Sequence, residues 1–108
     1  MEGNTDVKPI FDAWSAPLKD LGVDLMSPRV VPSTDHISFR RLGVPAFQFV
    51  QERYEYNSRT HHSNMDVYDR LQPDDLKQAA TVAATFAWLA ATRDEPLPRL
   101  PMAGRGGR

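Results

Sequence analysis

Val44-Pro45-Ala46-Phe47-Gln48-Phe49-Val50 is the stretch on which the fold turns. It is a short apolar run with Gly43 before it and polar residues after it, so it reads as a buried strand. Downstream, the clearest helical pattern in the chain runs from Pro73 to about Thr92. Proline stands at its first position, and Asp74 and Asp75 complement the positive end of the helix dipole. Leu76, Ala79, Ala80, Ala83, Phe86, Ala87 and Ala90 form one apolar stripe, whose small side chains suit close packing on a sheet. Upstream, Ser33 or Thr34 is placed to cap a short helix that turns Ile37, Phe39 and Leu42 inward, with Gly43 in the left-handed position that ends it.

Toward the N-terminus, Val7, Ile10, Phe11, Trp14, Leu18 and Leu21 recur at helical spacing, and Gly22 follows as a stop. Pro17 should kink that helix or begin a second short turn capped by Ser15, because an interior proline removes a backbone donor. Asp24 to Val31 reads as a further strand, weakened by Pro28 and closed by Pro32, and is placed near a sheet edge. The order helix, strand, helix, strand, loop, helix predicts an α/β layered domain over residues 1–95, with ligands outside the carboxyl ends of the strands. Residues 96–108 are expected to form an extended to disordered tail.

Composition narrows the function. Thirteen basic and fourteen acidic residues give a net charge of −1, so no global field favours nucleic acid or an anionic membrane surface. Cysteine is absent, which removes disulfides and thiolate metal sites and leaves imidazoles and carboxylates as the strong ligands. The N-terminal residues lack the basic start and apolar run of a signal peptide, and no apolar stretch reaches membrane-spanning length.

The polar chemistry gathers in two loops. Gln51 to Leu71 keeps no apolar period and holds Tyr54, Tyr56 and the run Arg59-Thr60-His61-His62-Ser63-Asn64-Met65-Asp66; the third histidine, His36, follows Thr34-Asp35. Each loop follows a predicted strand, and two neighbouring strands would bring the loops together. An imidazole can ligate a metal while a carboxylate orients it from behind, so a His with Asp four residues on is a candidate metal-holding arrangement.

Thr34-Asp35-His36, Phe39, Leu42-Gly43-Val44-Pro45-Ala46 and His62-Ser63-x-x-Asp66, followed by Asp69 and Leu71, resemble the C-terminal third of the co-catalytic zinc exopeptidases of metallopeptidase family twenty-eight. The family includes leucyl aminopeptidases, carboxypeptidase Q and glutaminyl cyclases. The resemblance implies the C-terminal portion of a three-layer α/β/α phosphorylase/hydrolase-like zinc peptidase domain with an incomplete sheet. It also implies His62 as a zinc ligand. His61 becomes a neighbour that packs or lines the pocket. Asp66 orients the ligand from behind or caps the next turn. Asp35 and His36 line the substrate pocket, or Asp35 merely complements the helix dipole. Tyr54 and Tyr56 contact substrate or cover a core edge.

The departures are as informative. The family builds its two-zinc centre from an early His-x-Asp element, a bridging Asp, a Glu preceded by the catalytic Glu, another Asp and a final His. Of these only the last has a counterpart, and no Glu-Glu pair occurs in the sequence. The expectation is therefore a piece of a secreted or periplasmic enzyme that hydrolyses terminal peptide bonds, truncated on its N-terminal side and inactive alone. Two zinc ions belong to the intact enzyme, and none is expected to bind this chain stably. Its partner in the intact enzyme would be a peptide substrate, and an exposed sheet edge would offer a route to oligomerisation. The alternative is a non-catalytic binding remnant of the same fold.

Overall fold

The computed structural model describes residues 1–23, 26–51 and 56–101. A single 3-10 turn, Thr5–Val7, leads into α1, Lys8–Ser15, and a second 3-10 segment, Ala16–Leu21, continues from it. Further along come α2, His36–Arg41, a π-helical turn at Tyr56–Thr60, a 3-10 turn at Tyr68–Arg70, and α3, Pro73–Ala91.

The first helical region behaves as its sequence dictates. Pro17 cannot donate a backbone hydrogen bond, so the α-helix stops at Ser15 and the chain tightens into the 3-10 segment. Gly22 closes it with φ 76°, its N–H donating to the Lys19 carbonyl at 2.8 Å. Ser15 makes no capping bond; its hydroxyl donates back to the Asp12 carbonyl at 3.1 Å.

The core is small and aromatic. Val7, Phe11, Leu18, Val82 and Phe86 are buried, with Ile10, Trp14, Phe47 and Leu97 among the residues packed around them. Phe11 meets Phe86 at 5.3 Å and Phe47 at 4.8 Å, both edge to face, while Trp14 and Phe49 each approach Phe86 at 5.5 Å. This cluster clamps α1 against α3. A second tie is the Gln78 side-chain amide, which donates to the Leu21 carbonyl. Residues 96–101 carry no regular secondary structure, yet Leu97 packs on the core and the Pro98 carbonyl accepts a 2.7 Å bond from Asn4 Nδ2; residues 102–108 of the expected tail lie outside the described residues.

The expected α/β architecture is not formed. Among the described residues there is no strand and no sheet, so there is neither a three-layer sandwich nor a sheet edge. Asp24 and Leu25, the start of one expected strand, lie outside the described residues. Residues 26–32 and 44–51 carry no regular secondary structure and join no ladder. Pro28, Pro32 and Pro45 lack a backbone donor, and the Val31 N–H is taken by the Glu2 carboxylate at 3.1 Å. The supposedly buried strand is also only partly covered, with Phe47 half-buried, Phe49 50% exposed and Val50 69% exposed.

Two faces differ from the sequence expectation. In α2, Phe39 and Leu42 point outward, at 56% and 67% exposure, because this single short helix meets no sheet. Asp35 rather than Ser33 or Thr34 holds its N-cap position, without a side-chain bond, while Gly43 does take the left-handed conformation expected of it. In α3 the core face runs through Ala79, Val82, Phe86 and Leu89, and Leu76, Ala80, Ala83, Ala87 and Ala90 are exposed. Phe86 sets that rotation: an aromatic side chain buries far more area than the alanines that defined the expected stripe.

Truncating Phe86 to Ala is therefore expected to cost about 3–5 kcal/mol, whereas Leu76→Ala on the same helix should change stability by no more than about 0.5 kcal/mol. Urea unfolding of the two variants measures both, and equal losses would contradict this helix rotation.

Candidate functional site

The loop carrying the histidine pair is built by local hydrogen bonds. In the π-helical turn the His61 N–H donates to the Tyr56 carbonyl, five residues back, at 2.8 Å. The next residue, His62, has φ 54°, a left-handed conformation that costs a non-glycine residue roughly 1–2 kcal/mol. Ser63 holds the turn that follows. Its hydroxyl lies against the carbonyls of Arg59 and Thr60 and accepts the Met65 N–H at 3.2 Å, while its carbonyl accepts the Asp66 N–H at 3.3 Å.

This backbone path brings three rings together. Tyr56 and His61 are 4.9 Å apart between centroids, and His61 and His62 are 4.0 Å apart, each pair tilted by 35°. All three residues are exposed, as is Asp66. Tyr54 lies outside the described residues.

The second cluster is buried and includes a residue that sequence reading did not single out. The Glu2 side chain is 3% exposed, and both carboxylate oxygens lie 3.1 Å from the Val31 nitrogen. Its Oε2 lies 3.2 Å from Nε2 of His36, whose side chain is 8% exposed, although the contact is not aligned as a hydrogen bond. The other ring nitrogen of His36 meets the Thr34 hydroxyl. That hydroxyl also reaches Gln48 Oε1 at 3.2 Å, and the Gln48 amide is oriented by its own 3.1 Å bond to the Phe49 carbonyl. Arg40 Nε donates to the Glu2 carbonyl at 2.8 Å. Burial pushes the neighbouring Met1 amine below its ordinary value, with the Glu2 charge acting in the opposite direction.

His36 therefore faces a buried carboxylate and ties the N-terminal turn to α2 and to the 44–51 segment. Asp35 is exposed on the other side, where it lines an open groove with Val30, Thr34, Ile37 and Arg41. Nothing local in the sequence marks Glu2. Its partners lie 29 and 34 positions away, and the one hint is Gly3, whose φ of 78° suits a sharp entry into the first turn.

The chain belongs to peptidase family M28, whose model matches residues 3–87. The match spans the histidine loop, α2 and most of α3 but leaves out Glu2, and it places the chain among the metallopeptidases, a class of hydrolases. Neither a curated protein nor a solved structure matches it.

Zinc is the metal associated with the family, and the described residues do not make a site for it. No three His, Cys, Asp or Glu side chains converge among them. Asp35 and His36 do not join the His62 loop in such a group, and a single exposed imidazole cannot fix a metal in an open, three-ligand geometry.

Replacing Glu2 by Gln removes the buried charge facing His36 and one of the two acceptors at the Val31 N–H. The expected loss is about 1–3 kcal/mol of unfolding free energy in urea, against no measurable change for Asp35→Asn. An unaltered midpoint for the Glu2 variant would show that the buried pair holds nothing together.

Proposed function

We propose that the chain contributes one metal donor, His62, to the two-zinc centre of an exopeptidase acting on terminal peptide bonds, with the remaining donors and the general base supplied by polypeptide outside these 108 residues. The enzyme is an aminopeptidase or a carboxypeptidase/dipeptidase of a secreted or periplasmic kind. Its partner at the site is a peptide.

The observation carrying this reading is the family match across His62-Ser63-x-x-Asp66. The geometry of that motif supports it, since Ser63 fixes the turn by hydrogen bonds on both sides while the His62 imidazole stands at the surface, open to a further polypeptide. Backbone strain held by a hydrogen-bonded turn at a polar residue is also typical of functional positions. Asp66, Tyr56 and His61 stand on the same loop and would border the donor. Asp35 and the groove beside α2 stand apart from this loop, while His36 faces inward to Glu2.

The sequence contains no Glu-Glu element, so no carboxylate is assigned as the base that would take a proton from water, and hydrolysis by the isolated chain is not expected. One imidazole also binds zinc weakly. After incubation with excess zinc and dialysis, metal analysis of the purified chain should find far less than one zinc per chain, with no release of terminal residues from a peptide. Two tightly held zinc ions and measurable hydrolysis would overturn the proposal.

A further inference from the structure

We propose that the Tyr56–His61–His62 ring stack is a positioning device for the His62 imidazole, with His61 as the positioning residue. The inference rests on the reading of His62 as the functional donor and adds a cause for its orientation.

The argument starts from the backbone. In an α-helix, residues five apart point in directions about 140° apart, so Tyr56 and His61 would not meet. The π-helical turn, closed by the 2.8 Å bond from the His61 N–H to the Tyr56 carbonyl, is the local change that brings this pair to 4.9 Å. The Thr60 hydroxyl, donating to the same carbonyl at 3.3 Å, reinforces it. The left-handed φ of 54° at His62 then folds its ring back against His61 at 4.0 Å. Two unusual backbone conformations thus fall at successive places, and each serves one of the two ring contacts.

Without the stack, an exposed imidazole on a loop would rotate among its side-chain rotamers. His61 between two rings restricts that rotation and leaves the outer face and edges of His62 presented to solvent. Tyr56 is the base on which His61 rests, which gives a role to a residue pair that would otherwise be ordinary loop surface. None of the three rings belongs to the Phe11–Phe86 core or to the residues packed on it, so loss of the stack should leave the fold intact.

The test uses aromatic proton–carbon NMR spectra of the 108-residue chain and its His61→Ala, His61→Phe and Tyr56→Leu variants. Stacked rings shift the His62 ring protons away from the positions they have in a free peptide. His61→Ala should return them to those positions, His61→Phe should keep them displaced, and Tyr56→Leu should reduce the displacement. Core signals from Val7 and Phe86, unchanged in all variants, control for folding. His62 signals at free-peptide positions in the unaltered chain, or unmoved by His61→Ala, would overturn the proposal. Adding zinc separates this inference from the functional one. If zinc perturbs His36 or His61 as strongly as His62 while the ring shifts behave as expected, the donor assignment fails and the positioning stack stands.

Discussion

The edge-to-face contact of Phe11 with Phe86 is the interaction on which the rest of the structure depends. It joins the first and last long elements of the chain, and Trp14, Phe47 and Phe49 attach to the same two rings. With no strand among the described residues, backbone ladders do not bind distant segments together, so side-chain packing carries that task. The rotation of α3, the placement of the 44–51 segment and the return of Leu97 to the core follow from it.

So few buried residues leave much surface open. Phe39, Leu42, Val50, Tyr68, Leu76 and Trp88 are among the large apolar side chains left in contact with solvent. Both polar clusters sit on this loosely covered frame. One, around Glu2 and His36, is enclosed by segments distant in sequence; the other, around His62, is made by the single run from Tyr56 to Asp66 and stands at the surface. The His62 loop therefore needs no distant segment to hold its shape, whereas the Glu2 cluster does.

Features set by local sterics were legible in the sequence. Gly22 and Gly43 take the left-handed conformations their positions predicted, Pro73 opens α3, and Pro17 interrupts the first helix. The family was legible too, because its motifs are short and carried by residues that the chain retains. The sheet was misread because an apolar run gives strand-like propensity but cannot show whether a partner exists; Val44 to Val50 joins no strand among the described residues. The α3 face was misread because alanine was counted as equal to phenylalanine. Within the loops, the turn made by Ser63 is local but depends on a π-turn that has no simple sequence signal, and the partnership of Glu2 with His36 spans 34 positions.

The central claim is a helical frame clamped by aromatic packing, with no sheet among the described residues. Nuclear Overhauser spectroscopy of the chain in solution tests it most directly. The account predicts cross-peaks between the Phe11 and Phe86 rings and no cross-strand Hα–Hα contacts for residues 44–51. A ladder of such contacts joining residues 44–51 to residues 26–32, with no contact between the two rings, would contradict it.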